Sequence, residues 1–166
     1  MPDLKPLSAA AVPAALDKAK HYRLLNEPVQ AESICRDVLA LDPGHQDAMV
    51  TLVLALTDQF EGALGETLPT AREAAARLHD SYRRAYYSGI VCERAAAAHV
   101  RRGGPGAGAI AWDWLAQAMA WYEQAEPLRP PGNDDVILRW NSCVRTLERH
   151  PEMQPPGPET FQPLLE

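Results

Sequence analysis

The sequence predicts an all-α protein of about seven helices arranged in consecutive antiparallel hairpins. Two segments of the chain place three apolar residues and a proline at the same intervals of four, three and five residues. The matching residues are Ala31, Cys35, Val38 and Pro43 in one segment, and Ala118, Tyr122, Ala125 and Pro130 in the other. Each proline is followed by a short break and a new helical pattern of apolar residues. Such self-similarity is typical of helical-repeat proteins, which generally present a binding surface to a partner.

Apolar residues that recur every three or four positions predict each helix in turn. The expected boundaries are about Ser8 or Pro13 to Leu25, Pro28 to Leu41, Gln46 to Phe60, Pro69 to His79, Asp80 or Ser81 to Arg102, Ala109 to Leu128 and Asn133 to His150. A break near His79 is expected because the fourth and fifth helices would otherwise join into one unusually long helix. Residues 1–150 are expected to form one helical-repeat domain, and residues 151–166 a proline-rich tail without regular structure.

Proline and glycine predict where the helices are interrupted. Pro28 suits the first turn of the second helix, where its missing N–H is not needed. Pro43 cannot continue a helix, and Gly44 can adopt the left-handed conformation that ends one. Two longer loops are expected at Gly62–Pro69 and at Gly103–Gly108.

Short polar side chains at the predicted starts are expected to cap the helices. Thr67 or Thr70 would cap the fourth helix, and Asp80 or Ser81 the fifth. Asn133 would cap the seventh, where the two aspartates that follow it suit the positive end of the helix dipole.

Composition excludes several classes of protein. The hydrophobic fraction is 46%, and no run of 18 apolar residues predicts a membrane span. The segment Met1–Pro6 has an acidic residue and two prolines, so it does not resemble a secretory signal. We therefore expect a cytoplasmic location. A net charge of −6 argues against a general nucleic-acid binder.

No residue pattern points to an enzyme, a metal or a cofactor. The three cysteines fall at apolar helical positions, which favours small core residues in a reducing compartment. No closely spaced Cys or His pair suggests a metal site, and no nucleophile motif such as GxSxG occurs. The glycine-rich loop lacks the lysine of a phosphate loop. An anion could still bind there, between the start of the sixth helix and Arg101 and Arg102.

The first hairpin resembles the tetratricopeptide repeat, a 34-residue helix–turn–helix unit. Ala19 and Ala31 are small residues twelve positions apart, and Pro43 follows after twelve more. Tyr22 and Leu41 would fill the space around the two alanines. The resemblance implies a superhelix of α-α hairpins, a concave face built by the first helix of each hairpin, and close contact between Ala19 and Ala31. An unrelated helical bundle would imitate the weaker central part of the pattern.

The resemblance also implies a partner-binding face. Its residues would be Leu16, Lys20, Arg23, Val50, Leu54, Thr57, Tyr86, Ile90, Arg94, Ile137 and Asn141. Lys20, Arg23 and Arg94 would give this groove a positive charge, so that an acidic peptide is one expected ligand. Reversing the charges of Lys20 and Arg23 is expected to leave stability nearly unchanged, because exposed charges stabilise little.

Three functions remain open from the sequence. The first is a cytoplasmic adaptor that binds a peptide or protein segment in the concave groove. The second is a structural subunit of a larger complex, and the third is an enzyme or small-ligand binder centred on the glycine loop. The tail ends in an apolar cluster, Phe161–Glu166. We expect this cluster to dock on the body of the protein or on a neighbouring molecule.

Overall fold

The computed structural model describes residues 1–155, and the chain forms seven α-helices with no strand among these residues. The helices are α1 Val12–Leu24, α2 Pro28–Leu41, α3 Gln46–Thr57, α4 Phe60–Ala76, α5 Ser81–Arg102, α6 Ala107–Ala125 and α7 Asp135–Arg149. Short 3₁₀ turns precede α1 at Ala9–Ala11 and follow α6 at Glu126–Leu128. The predicted all-α class is confirmed.

Each helix packs against the next one along the chain. The short connections between them make these neighbours consecutive hairpins. Contacts also join α1 to α3 and α3 to α5, so the odd-numbered helices lie side by side over the first part of the array. This arrangement brings residues from three separate helices to one face.

The start of α5 follows the predicted chemistry. Asp80 Oδ1 accepts a hydrogen bond from the backbone N of Arg83 at 2.7 Å, which confirms Asp80 as the cap of α5. The backbone break before α5 is also confirmed. The predicted cap of α7 was wrong by one residue, because Asp134 is its N-cap, while Asn133 Oδ1 accepts from the backbone N of Asp135 at 3.0 Å. An unpredicted cap occurs at His45, whose Nδ1 accepts from the backbone N of Ala48.

The prediction of a left-handed Gly44 was wrong. Positive φ angles among the described residues occur at Asn26 and at four other glycines, Gly103, Gly104, Gly106 and Gly132. Asp42 turns the chain after α2 instead, because its Oδ1 accepts a hydrogen bond from the backbone N of Gly44 at 3.0 Å. This local side-chain bond turns the chain without requiring a left-handed residue.

The prediction of a loop at Gly62–Pro69 was also wrong, since α4 runs through this segment. The segment buries Leu64 and Thr67, and this burial outweighs the poor helix propensity of its glycines and proline. Ala63 departs from helical geometry (φ −134°, ψ 29°) and marks a kink. The Thr67 hydroxyl donates to the carbonyl of Ala63 inside α4, so neither Thr67 nor Thr70 caps that helix.

The core consists of two main clusters that meet at α5. The first joins α1 to α5 and includes Ala19 and Ala31, both completely buried, as the repeat pattern predicted. The second joins α5, α6 and α7. The cysteines are free and buried, which confirms their prediction as core residues: Cys35, Cys92 and Cys143.

One glycine allows α5 and α6 to approach closely. A Cβ atom on Gly89 would lie only 2.3 Å from Cε1 of Tyr122, a separation that no real side chain tolerates. The ring of Tyr122 therefore lies directly on the backbone of α5. Tyr82 and Tyr86, one helical turn apart on α5, stack with their ring centroids 5.6 Å apart.

The chain after α7 continues without helix or strand over residues 151–155, as predicted for the start of the tail. We call residues 150–155 the strap. Met153 of the strap is only 4% exposed and belongs to the second core cluster. The predicted docking of Phe161–Glu166 lies outside the described residues.

Candidate functional site

Two of the predicted groove residues, Arg23 and Arg94, bind one carboxylate that the sequence analysis did not single out, and a third, Thr57, contacts Arg94. Arg23 of α1 donates from Nε to Oδ2 of Asp58 at 2.7 Å. Arg94 of α5 binds the other oxygen, Oδ1, through Nη1. The same Nη1 donates to the hydroxyl of Thr57 at 2.8 Å, and that hydroxyl donates in turn to the carbonyl of Leu54. Asp58 therefore ties α1 and α5 to the end of α3.

This cluster is partly shielded from water. The side chains of Arg23, Asp58 and Arg94 are 20%, 22% and 28% exposed. Two guanidinium groups share one carboxylate, so the cluster keeps an excess positive charge at a face that solvent reaches. A charge-assisted contact of this kind holds the arginines in fixed positions and still leaves donors free for a further acceptor.

A cleft of about 410 Å³ opens at this cluster. Its walls include Glu61 and Arg101, which pair at 2.9 Å between Oε1 and Nε with side chains 69% and 59% exposed. Leu24 lies at the rim, and the small residue Ala97 lies on the exposed face of α5. We call this the charged cleft. Three arginines and two carboxylates line it, so its net charge is positive.

A second cleft of about 320 Å³ lies on the other side of α5. It shares Arg94, Ala97 and Arg101 with the charged cleft. Its floor is apolar and includes Leu115 of α6 and Met153 of the strap. We call this the apolar cleft. The two clefts together form one groove that crosses α5, charged at one end and apolar at the other.

A buried polar network supports the floor of the groove. Glu93 of α5 accepts a hydrogen bond from the Tyr122 hydroxyl at 2.5 Å and pairs with Arg139 of α7 at 3.3 Å. Burial and the Glu93 carboxylate raise the pKa of Tyr122 far above its usual range. Burial lowers the pKa of Arg139, but Glu93 and a hydrogen bond with Tyr86 more than offset that effect and raise it. One carboxylate thus joins α5, α6 and α7, which suits a structural tie between helices.

The structure divides the predicted groove residues by exposure. They fall into buried Leu16, Thr57 and Ile90; half-buried Arg23, Val50, Leu54, Tyr86, Arg94 and Ile137; and exposed Lys20 and Asn141. Leu16 packs in a small cluster with Val38 and Ala48, and Ile90 packs against α6 in the second core cluster. Leu16 and Ile90 therefore stabilise the fold. Ile137 and Asn141 lie on α7 and line neither cleft.

Sequence reasoning missed Asp58, Glu61 and Ala97. Asp58 follows the last residue of α3, where a negative charge is unfavourable because the helix dipole is negative at that end. An acidic residue in that position needs a cationic partner, so the sequence could have predicted that Asp58 binds an arginine or lysine. Ala97 gave no signal, since small residues are frequent throughout this part of α5.

Of the two arginines considered for an anion site at the glycine loop, Arg101 binds elsewhere. Arg101 points to Glu61 across the groove, at 2.9 Å. The predicted loop ends before Gly108, which lies in the first turn of α6. A Cβ of Gly108 would lie 2.2 Å from the carbonyl oxygen of Glu152, so the strap covers the start of α6.

Two further findings concern the described part of the chain. Residues 1–155 contain no group of three or more His, Cys, Asp or Glu side chains placed to hold a metal ion. None of the seven helices is both long enough and apolar enough to cross a membrane.

Comparison with known proteins adds no relative: no family model, no curated protein and no solved structure matches this chain.

Proposed function

We propose that this chain is a non-catalytic adaptor of the tetratricopeptide-repeat kind, which binds a peptide or protein segment in the groove across α5. The observation that supports this most is that Arg23 and Arg94 both bind Asp58, while Arg94 also donates to Thr57. These residues come from three odd-numbered helices, which is the face that the repeat pattern assigns to a ligand. These contacts hold the groove open in one defined shape.

The charge of the groove favours an acidic ligand. Arg23 and Arg94 already share one carboxylate, and the pair between Arg101 and Glu61 is well exposed. An exposed pair contributes little stability, so a carboxylate of the ligand can replace Glu61 at small cost. Lys20 is exposed one turn before Arg23 on α1 and extends the positive surface.

A displayed library of random peptides tests this function directly. Enriched peptides should be acidic, and their affinity should fall at least tenfold for a chain carrying Lys20→Glu and Arg101→Glu. The matched control carries Lys18→Glu and Arg102→Glu, exposed residues of the same types on the same two helices. Lys18 lines a different cleft together with Leu7 and Ile34, and Arg102 lines neither part of the groove. Equal affinity of both variants, with both folded by circular dichroism, would place the binding site elsewhere.

A structural subunit is the second candidate, and one surface feature favours it. Leu24, Leu25 and Val29 are 85%, 54% and 61% exposed around the turn between α1 and α2. Exposed apolar clusters often mark protein interfaces. In this case Leu25→Asp with Val29→Asp would release the tagged chain from a large particle in extracts of its source cells, as seen by size-exclusion chromatography. The Lys20 and Arg101 reversals would leave that particle intact.

A further inference from the structure

The strap lies at the apolar end of the groove. It leaves α7 at His150, and its Met153 side chain enters the second core cluster beside Val100 and Leu115. Met153 is only 4% exposed although the strap has no helix or strand over residues 151–155. An irregular segment that inserts one apolar side chain between helices has the geometry of a bound linear peptide.

A glycine makes room for the strap backbone. A Cβ on Gly108 would lie 2.2 Å from the carbonyl oxygen of Glu152. By contrast, a Cβ on Gly65 of α4 would have no atom within 4 Å. Gly108 therefore provides a seat that is shaped to the main chain of the strap.

Among residues 1–155, no hydrogen bond joins the strap to this seat on α5 and α6. The backbone N of His150 donates to the carbonyl of Thr146 on α7 at 3.0 Å, and the backbone N of Met153 donates to the carbonyl of His150 at 2.9 Å. The backbone N of Gln154 donates to the carbonyl of Glu152 at 3.1 Å, and the ring of His150 pairs with the Glu152 carboxylate at 2.8 Å. Within the described residues, packing holds the strap on α5 and α6, chiefly through the side chain of Met153.

The apolar cleft is open space beside Met153, which forms part of its wall. It has a volume of about 320 Å³ and continues along α5 to Arg94 and Arg101 at the charged cleft. Ala96 and Ala97 leave space for a long, unbranched side chain. Methionine suits such a site, because its flexible thioether chain adapts to an irregular gap.

We propose that the seat in which Met153 packs, between α5 and α6 at the edge of the apolar cleft, is a binding site for an extended segment with one unbranched apolar side chain, and that the strap is its resident, displaceable occupant. The inference rests on the proposed function, because the natural competitor of the strap is the peptide that binds the groove. That peptide would carry an acidic residue beside its apolar anchor. A competitor must displace the strap before it binds. The strap therefore reduces the apparent affinity of the groove to its intrinsic affinity multiplied by the fraction of molecules in which the seat is empty.

A peptide with the sequence of residues 149–155 tests the site without a natural partner. It is added to the full chain carrying Met153→Glu, and two-dimensional NMR follows the amide signals of Val100 and Leu115. The peptide should shift these signals at a concentration at least tenfold lower than in the wild-type chain, because the resident strap no longer competes. A peptide with alanine in place of methionine should not shift them. The matched control chain carries Gln154→Glu, the same added charge at an exposed neighbour.

A second variant displaces the strap without changing Met153. Gly108→Ala should speed cleavage of the Glu152–Met153 bond by a glutamate-specific protease at least tenfold, while Gly65→Ala should leave the rate unchanged. Mass spectrometry identifies the cleaved bond.

Two results would overturn the proposal. One is a peptide that shifts no signal in the Met153→Glu chain. The other is loss of cooperative unfolding in the Met153→Glu and Gly108→Ala chains, which would make Met153 an integral part of the core. Neither result bears on the Lys20 and Arg101 reversals, so failure of the strap and failure of the peptide groove are distinguishable.

Discussion

The hydroxyl of Tyr122 donates a 2.5 Å hydrogen bond to Oε2 of Glu93, while Arg139 approaches Oε1 of the same carboxylate. Tyr122 lies on α6, Glu93 on α5 and Arg139 on α7. One carboxylate therefore joins the last three helices, where α6 and α7 otherwise share a limited contact. Its side chain is only 18% exposed, so the loss of either partner leaves a poorly solvated charge.

Tyr122→Phe should lower the free energy of unfolding by about 1–3 kcal/mol, since it leaves one oxygen of Glu93 without its donor. Urea denaturation measures the change. Tyr22→Phe is the control, because Tyr22 is half-buried and no hydrogen bond of its hydroxyl occurs among the described residues. An equal effect of the two substitutions would mean that the Glu93 contact adds nothing.

Gly89→Ala should destabilise the protein by about 1–3 kcal/mol, against the usual preference of helices for alanine. The new Cβ would meet the Tyr122 ring at 2.3 Å, so the ring or a helix must move. Gly65→Ala on α4 should instead stabilise by about 0.5–1 kcal/mol, because its Cβ meets nothing. Thermal unfolding of both variants checks the opposite signs, and a stabilising Gly89→Ala would contradict the close packing of α5 on α6.

Asp58→Asn should cost about 1–3 kcal/mol, because it leaves Arg23 and Arg94 facing each other without their shared carboxylate. The control is Asp17→Asn, at an exposed position on α1. Chemical denaturation should show no more than about 0.5 kcal/mol for this control.

The same geometry corrects an expectation about Arg23. Its side chain is only 20% exposed and is held by Asp58, so Arg23→Glu should be clearly destabilising. Lys20→Glu should remain within about 0.5 kcal/mol of the wild type, since Lys20 is exposed. Similar melting temperatures for the two variants would show that the Asp58 cluster contributes no stability.

The buried cysteines should make the protein sensitive to alkali. Burial raises the pKa of Cys35 and of Cys143 from 9.0 to about 12, and that of Cys92 from 9.0 to about 11. Above pH 9 the unfolded chain loses these protons while the folded chain keeps them, so stability falls as pH rises toward 11–12. The stability is fully present below pH 9. At pH 10 each thiol should account for a loss of roughly 1 kcal/mol.

Urea denaturation at pH 7 and pH 10 measures this loss, and Cys35→Ala should make it smaller. The thiols should also resist alkylation in the native protein at pH 8 and react on unfolding, because the thiolate is the reactive form. Rapid alkylation of the native protein would argue against their burial.

The helices were predictable because their signals are local. Asp80 and Asn133 indicated where α5 and α7 begin. The interval from Ala19 to Ala31 indicated which faces of α1 and α2 pack together. The loop assigned to Gly62–Pro69 failed because glycine and proline act locally, whereas Leu64 and Thr67 gain their burial from other helices. Propensity alone cannot weigh that tertiary contribution.

The candidate site was predictable only in part, and the reason is geometric. The repeat pattern placed Arg23, Thr57 and Arg94 on one face, but it carried no information about which acidic residue would meet them. Asp58 is distant in sequence from both arginines, and the contact depends on how α1, α3 and α5 pack. Met153 lay in a segment without periodicity, so nothing in the sequence marked it as a buried anchor.

The contact between Gly89 and Tyr122 constrains how this protein can change over generations. A side chain at position 89 requires a smaller residue than tyrosine at position 122, and the smaller residue deprives Glu93 of its donor. Each single replacement therefore passes through a weakened intermediate. Relatives of this chain should retain the glycine and the tyrosine together or have exchanged both, so these two positions are expected to vary as a linked pair.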